Sequence, residues 1–224
     1  MKIKLNYSEY GIIFDMDGVL ADTAEIHYES WIKLAKDINI EFKREFFKET
    51  FGQQSSFILR KLLSNNISDE KINELADKKE FYYRNLVKDK LKPLPGTVKL
   101  IKKLRKKGFK LAIGSSGCLE NINLLINTLK INNFFEAIVS AEDVKNSKPA
   151  PDVFLKAAEK LKIVPKNCVV IEDAPVGIRA AKLAGMRSIA LTTTHTADKL
   201  QEADIIKKNL SSLKIKHILN LLIH

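Results

Sequence analysis

Short apolar runs alternate with helical patterns from about residue 93 to the end of the chain. Runs such as "LAIG", "AIVSA", "CVVI" and "SIAL" are predicted to be buried strands. The stretches between them carry apolar residues at every third or fourth position, which is typical of helices. Strands separated by helices of this length imply right-handed crossovers and a parallel sheet covered on both faces. This part of the chain therefore predicts an α/β fold.

Individual residues predict where some of these helices begin and end. Thr97 is placed to cap the helix "TVKLIKKLRKK" and Gly108 to end it. A proline start precedes the helix "DVFLKAAEKLKI", and Gly185 closes the helix "GIRAAKLA". The last segment, "KIKHILNLLIH", is predicted to be a C-terminal helix.

Residues 24–90 break the alternation, because they show helical periodicity and no convincing strand. Ser68, followed by two acidic residues, predicts the start of the last helix in this region. The earlier run "GIIFD" is then the first strand of the sheet, interrupted by a helical insertion. We expect a core formed by residues 1–19 and 94–224 and a helical cap formed by residues 20–93, with hinges near residues 19–22 and 91–96.

Composition excludes several classes of protein. A chain of 224 residues with 45% hydrophobic residues is long enough for one sizeable core with a smaller insertion. No apolar stretch approaches the roughly 20 residues needed to cross a bilayer. The N-terminus lacks the apolar run of a signal peptide, so a cytoplasmic location is expected. Cys118 and Cys168 are far apart in sequence and suggest neither a metal cage nor a disulfide framework.

The formal net charge of +11 raises the possibility of a nucleic-acid partner. However, the lysines are spread along helical faces and mixed with acidic residues, as in "KAAEKLK". This pattern favours a solvated, lysine-rich surface. We therefore expect no nucleic-acid or membrane partner, and we expect a monomer.

Charged and hydroxyl side chains follow the ends of the predicted strands, where ligands bind in open parallel sheets. They are Asp15 and Asp17 after "GIIF", Ser115 and Ser116 after "LAIG", Lys148 beyond "AIVSAEDVKNS", and Glu172 and Asp173 after "CVVI". Four carboxylates in one partly dry pocket repel each other unless a cation joins them. Oxygen ligands without His or Cys favour Mg²⁺, which is typically held by few carboxylates and a substrate phosphate.

This set of groups predicts phosphoryl transfer to an aspartate. With a metal bound, one carboxylate is free to attack, another can move protons, and a lysine and a hydroxyl can hold the remaining phosphate oxygens. Residues i and i+2 of a strand point the same way at about 6.6 Å separation, so Asp15 and Asp17 can flank one small group. The residues alone do not decide which of the two aspartates attacks. Gly18 lets the chain leave the strand sharply.

Four segments resemble, in chain order, the four motifs of the haloacid dehalogenase superfamily. They are "DMDGVLADT", Ser115 after its strand, "SKPAPD" and "IEDAPVGIRAA". The resemblance covers the whole chain, including a helical cap at the expected position, and "TAEIHYESW" is similar to the cap start of the beta-phosphoglucomutase-like branch. Four motifs in register are far more specific than any one of them. The resemblance implies a Rossmann-like core with an inserted helical cap domain.

The same resemblance implies a role for each matching residue. Asp15 is the nucleophile that forms an aspartyl-phosphate, and Asp17 is the general acid and base. Ser115 and Lys148 bind the transferring phosphoryl group. Asp173 binds Mg²⁺ together with Asp15 and the backbone carbonyl of Asp17, with Glu172 nearby.

Substrate contacts are predicted from the cap and from the loop after Ser115. Gly52 and Gln53 lie in a loop between two cap helices and are expected to reach the substrate, as is Ser116. His27 either faces the site or is an ordinary cap histidine. Trp31, one turn later, is expected in the cap core or its lining, and Cys118 is expected to be a packed, inert thiol.

The substrate class is narrowed by what the chain lacks. Beta-phosphoglucomutases carry an arginine after the cap glycine and a Ser-Lys-Asn run beside the second motif, which grip the phosphate that does not react. Ser55 and Cys118 occupy the corresponding places here. We therefore expect a phosphatase acting on a small phosphorylated metabolite. The alternatives are a beta-phosphoglucomutase, with Arg60 or a cap lysine as the missing cation, and a non-catalytic binding protein on this fold.

Overall fold

A computed structural model describes residues 6–63 and 67–223 of the chain. A six-stranded sheet forms its centre, and every neighbouring pair of strands is parallel. The spatial order is β3-β2-β1-β4-β5-β6. The strands are β1 (Gly11–Phe14), β2 (Lys110–Gly114), β3 (Ala137–Val139), β4 (Cys168–Glu172), β5 (Arg187–Leu191) and β6 (Ile205–Lys207). The predicted α/β fold with a Rossmann-like parallel sheet is confirmed.

Nine α-helices accompany this sheet within the described residues. They are α1 (Ala24–Asp37), α2 (Arg44–Thr50), α3 (Ser55–Leu62), α4 (Asp69–Lys90), α5 (Thr97–Lys107), α6 (Leu119–Thr128), α7 (Asp152–Leu161), α8 (Pro175–Leu183) and α9 (Ile215–Ile223). Helices α5, α6 and α9 cover one face of the sheet, and α7 and α8 cover the other.

The central strand shows why the apolar runs are continuous rather than alternating. Ile12 and Phe14 belong to the apolar cluster that contains α5, α6 and α9, whereas Ile13 belongs to the cluster of α7 and α8. All three side chains are fully buried. A strand with helices on both faces needs apolar residues on both faces, and β1 meets that need.

Helices α1 to α4 form the predicted helical insertion and have an apolar cluster of their own. Trp31, Phe47, Leu59 and Leu75 are buried in this cluster. The chain enters and leaves the insertion along adjacent backbone segments, with a bridge between Ala21 and Pro93. The exact domain boundaries and the hinges stay predictions.

Several local predictions are confirmed and others are wrong. Ser68 caps α4 by accepting a hydrogen bond from the backbone N–H of Lys71, and Gly108 ends α5 in the left-handed conformation. Thr97 does not cap α5; Gly96 occupies the N-cap with a φ of 96°, and the Thr97 hydroxyl donates to the Leu20 carbonyl instead. The prediction also missed α2 and β6, because both are short.

Within residues 6–63 and 67–223, every helix is too short or too polar to span a bilayer. The prediction that the chain begins without a signal peptide falls partly on residues 1–5, which lie outside the described residues.

Candidate active site

Lys148 lies at the centre of the group of polar residues at the sheet rim. Its ammonium donates to Asp15 Oδ1 at 2.6 Å, to Glu172 Oε1 at 2.8 Å and to the Gly114 carbonyl at 3.2 Å. The Lys148 side chain is only 1% exposed, so all of these bonds are screened from water. Although burial alone lowers the pKa of Lys148, the two carboxylates raise it well above its usual value. Lys148 therefore stays charged beside Asp15.

Glu172 is fixed by the backbone that follows its strand. Its Oε2 accepts hydrogen bonds of 2.7 Å from the backbone N–H groups of Asp173 and Ala174, while its Oε1 accepts from Lys148. Gly177 is required beside it, because a Cβ at that position would overlap the Glu172 carboxylate. Both Glu172 oxygens therefore accept hydrogen bonds, and Glu172 orients Lys148; its predicted contact with the metal stays a prediction.

Asp173 faces Asp15 across the end of the central strands. Thr194 donates its hydroxyl to Asp173 Oδ2, and Thr193 donates to the Gly18 carbonyl at 2.5 Å. A Cβ at Gly18 would overlap the Asp173 carboxylate, and the φ of Gly18 is 75°. The glycine is thus required both for the turn after β1 and for the close approach of Asp173.

The donor set at this rim fits a magnesium ion. Oxygen atoms of Asp15, Glu172 and Asp173 all lie within 4.8 Å of one another, and the three residues are buried. Burial raises the pKa of Asp15 to about 7, and burial followed by repulsion from Glu172 raises the pKa of Asp173. A divalent cation relieves this repulsion, and oxygen-only ligands are those that Mg²⁺ prefers. Asp15 and Asp173 are the carboxylates best able to hold it.

Asp17 lies in a different environment, formed by helix α1. Its Oδ1 accepts hydrogen bonds from the Thr23 hydroxyl at 2.5 Å and from His27 Nε2 at 3.1 Å. Burial alone raises the pKa of Asp17, but its contacts with His27 and Thr23 hold it below its usual value. His27 therefore faces the site, which the sequence left open.

Lys79 fixes the tautomer of His27. The Lys79 ammonium lies 2.8 Å from His27 Nδ1 and can only donate, so Nδ1 is the acceptor. The ring proton is then on Nε2, which donates to Asp17. Lys79 is buried on the otherwise apolar face of α4, between the rings of Trp31 and Tyr83.

The remaining predicted residues line the cleft between the rim and helices α1 to α4. Ser115 is buried, and its hydroxyl accepts from the Gly117 N–H at 3.0 Å. Ser116, Gly52 and Gln53 lie on the cleft wall with Asp15 and Asp17. Gln53 Oε1 is a buried acceptor with no hydrogen-bond partner among residues 6–63 and 67–223, so within this part of the chain it is available to a hydroxyl of a bound molecule.

Cys118 precedes helix α6 at the edge of this site. It is partly buried, and Arg84 Nη1 lies 3.8 Å from its sulfur. Burial raises the pKa of the thiol to about 11. A protonated thiol agrees with the prediction of an inert cysteine.

The sequence interpretation missed Thr194, Lys79, Glu80 and Asn121. Thr194 follows β5 at the same sheet rim, so the rule that found Asp15 and Asp173 applies to it equally. Lys79 interrupts an apolar helical stripe that also contains Ile72, Leu75 and Tyr83, and a single lysine there indicates a buried charge. Glu80 and Asn121 carry no comparable signal, because their meeting depends on how two distant helices pack.

The chain is similar in sequence and in fold to known proteins. Residues 12–191 match the family described as haloacid dehalogenase-like hydrolase. The chain is 32% identical to beta-phosphoglucomutase of Bacillus subtilis, over 92% of each chain, and 32% identical to fructose-1-phosphate phosphatase YqaB of Escherichia coli, over 82% of this chain and 97% of the other. The crystal structure of beta-phosphoglucomutase from Clostridium difficile is similar with a TM-score of 0.86 and 31% identity, covering 95% of this chain and 96% of the other.

Proposed function

The chain belongs to the haloacid dehalogenase-like hydrolases and is an enzyme of their phosphatase and phosphomutase group, and from this we propose that it is a Mg²⁺-dependent phosphatase of a small phosphorylated sugar. The reaction proceeds through an aspartyl-phosphate on Asp15. The observation that carries the proposal is that the two aspartates lie in different surroundings. Asp15 contacts the buried lysine at the sheet rim, whereas Asp17 contacts Thr23 and His27.

These surroundings support different roles for the two carboxylates. Asp15 is the nucleophile: its Oδ attacks phosphorus, and the bond from phosphorus to the leaving alcohol oxygen breaks. Lys148 and the Ser115 hydroxyl hold the equatorial phosphate oxygens during this transfer. The carboxylates of Asp15 and Asp173 would hold Mg²⁺, which when bound would neutralise charge on the phosphate.

Asp17 moves the proton in both half-reactions. A phosphate dianion next to Asp17 raises its pKa, so substrate binding favours the protonated form. Asp17 then donates this proton to the leaving alkoxide. In the second half-reaction it takes a proton from water, whose oxygen attacks phosphorus and releases phosphate and Asp15.

The charges in the cleft support hydrolysis over isomerisation. A phosphomutase must also hold the phosphate that does not react. Lys148 is assigned to the phosphate that reacts. Among the other described residues that line the cleft with Asp15 and Asp17, Lys79 is the sole lysine or arginine, and its ammonium is already engaged by His27 and Glu80. Arg60, the other candidate cation, is exposed and paired with Asp69.

Isomerisation of a sugar phosphate is the second candidate, because relatives of this chain include beta-phosphoglucomutases. The ordered ion pairs around Asp15 argue against a non-catalytic binding protein. The monomeric state, the cytoplasmic location and the absence of a nucleic-acid partner stay predictions.

Phosphate release from a panel of sugar phosphates, phosphoglycolate and nucleotides tests the proposal. Glucose 1-phosphate isomerisation is followed in parallel with a bisphosphate primer. We expect Mg²⁺-dependent phosphate release above the background of Asp15→Asn. The best substrates are expected to be phosphates of uncharged sugars. Isomerisation without release would overturn hydrolysis in favour of the mutase. The absence of both activities would contradict the proposal altogether.

A further inference from the structure

Asn121 joins the sheet-bearing part of the molecule to helix α4 at the side of the cleft. It lies in the first turn of α6 and is 1% exposed. We infer that Asn121 is a positioning residue for Asp17, an inference that rests on the proposed function. It acts through Glu80, Lys79 and His27, so that proton transfer to the leaving group depends on α4 being docked against α6.

Asn121 uses both ends of its side-chain amide to hold α4. Its Nδ2 donates to Glu80 Oε2 at 2.6 Å, and its Oδ1 accepts from Arg84 Nη1 at 3.2 Å. Glu80 and Arg84 are one turn apart on α4, so the single side-chain amide contacts an acceptor and a donor on the same helical face. Because a carboxylate only accepts and a guanidinium only donates, the amide has one satisfactory orientation.

Glu80 passes this constraint to Lys79. Its other oxygen, Oε1, accepts from the Lys79 ammonium at 3.0 Å and from the Ser55 hydroxyl at 2.5 Å. Lys79 is 2% exposed, so its charge has little access to water and depends on Glu80 for compensation. The position of the Lys79 ammonium is therefore set by Glu80.

Lys79 in turn fixes His27, which contacts Asp17. The His27 ring stacks on Tyr83 with a centroid distance of 3.9 Å, while its two nitrogens contact Lys79 Nζ and Asp17 Oδ1. Each link from Asn121 to Asp17 has only one possible donor and one possible acceptor. The series begins on α6, passes through α4 and α1, and ends on the loop after β1, so it is complete only when α4 lies against α6.

The experiment compares two substrates that differ in their need for a proton. A sugar phosphate releases an alkoxide that must be protonated, whereas p-nitrophenyl phosphate releases a phenolate that leaves without a proton. We expect Asn121→Ala to lower kcat/KM for the sugar phosphate by about 10- to 100-fold, part of the 10² to 10⁴ that general acid catalysis contributes. This ratio covers the steps up to departure of the leaving group and excludes hydrolysis of the aspartyl-phosphate, in which Asp17 takes a proton whichever substrate was used. For p-nitrophenyl phosphate, kcat/KM is expected to change by less than about threefold on the same reasoning.

Two further variants make this result specific. Asn123→Ala, at an exposed position on the same helix, is the matched control and is expected to leave both rates unchanged. Asn121→Asp places a carboxylate against Glu80 and is expected to be impaired. Adding Glu80→Gln to it restores one donor and one acceptor at that contact but removes the carboxylate that compensates Lys79, so the double variant is expected to recover part of the activity with the sugar phosphate.

Two results would overturn the inference. One is an equal loss with both substrates, and the other is a double variant no better than Asn121→Asp, each in protein with a wild-type melting temperature. These outcomes concern the ratio of two rates, so they are distinct from a failure of the proposed function, in which wild-type protein releases no phosphate.

Discussion

Asp15 and Asp17 are separated by one residue, yet they depend on different regions of the molecule. The polar partners of Asp15 come from the sheet rim, namely Lys148 held by Glu172 and the backbone after β4. The partners of Asp17 come from the helical insertion, namely Thr23 and His27. The two carboxylates therefore have different proposed roles and different supports. The group proposed to attack phosphorus is held by residues of the sheet rim, and the group proposed to move protons is held by residues of the helices.

The largest expected effect tests the sheet side of this comparison. Asp15→Asn is expected to lower phosphate release by about 10⁴-fold or more with every substrate, because loss of a nucleophile cannot be offset by a better leaving group. Phosphate release measured alongside thermal unfolding checks this. Substantial turnover by a well-folded Asp15→Asn protein would rule out the aspartyl-phosphate route.

Removal of the metal also acts on the sheet side. Chelation of Mg²⁺ is expected to reduce activity to the Asp15→Asn level, and Mg²⁺ is expected to stabilise the wild type by about 2.7 kcal/mol at a hundred times its Kd. Melting temperatures with and without Mg²⁺ provide a readout that does not depend on activity. Asp173→Asn is the comparison, and an equal Mg²⁺ effect in this variant would place the metal elsewhere.

The helical side is tested by His27→Ala. We expect a loss of about 10²-fold in kcat/KM for a sugar phosphate, within the range of general acid catalysis, because Asp17 loses the hydrogen bond from His27. The loss with p-nitrophenyl phosphate is expected to be much smaller. Rates with both substrates, measured beside a His217→Ala control on α9, check this. An equal loss with both substrates would contradict the proposed role of the helices in proton transfer.

A smaller effect is expected from Gly177→Ala. The new methyl group would overlap the Glu172 carboxylate and force it away from Lys148. Overpacking of this kind costs about 1–3 kcal/mol, so both the melting temperature and kcat/KM are expected to fall. The losses should be the same with both leaving groups, since the change lies on the sheet side. A variant with wild-type stability and activity would show that Glu172 has room to move.

The smallest effect concerns Cys118, where the two regions meet. Burial raises the pKa of this thiol to about 11, so only about one thiol in 10³ is ionised at pH 8. Alkylation by iodoacetamide is therefore expected to be slow at pH 8 and to accelerate as the pH rises toward 11. Mass spectrometry of the labelled protein over this pH range, with unfolded protein as reference, measures the effect. Rapid labelling of the folded protein at pH 8 would contradict a buried, protonated thiol.

The difference between the surroundings of Asp15 and those of Asp17 also explains which residues could be predicted from the sequence. Asp15, Asp173 and the residues around them follow parallel strands, so the period of the apolar runs and one topological rule bring them together. The surroundings of Asp17 depend on which face of α4 meets α1 and α6, and helical periodicity does not specify how helices pack against one another. Lys79 could have been found as a charge within an apolar stripe, but the partners of Glu80 could not.

The prediction that Thr97 caps α5 failed for a related reason. Thr97 has the chemistry of a helix cap, yet Gly96 takes that place because the chain enters α5 with a positive φ that glycine adopts readily. The hydroxyl of Thr97 instead satisfies the Leu20 carbonyl, a contact between residues 77 positions apart. Tertiary structure decides such cases, since local propensity describes only the nearest neighbours.

The two backbone segments that connect the sheet to the insertion run side by side. Asp22 donates its N–H to the Lys92 carbonyl and Leu94 donates to Leu20, beside the bridge between Ala21 and Pro93. An insertion whose ends meet in this way behaves as an exchangeable module: a different helical insert joined at the same paired ends would leave the order of the strands intact. Replacing the insert would then change the residues that face the substrate from the helices, while the residues proposed for phosphate chemistry at the sheet rim would stay in place.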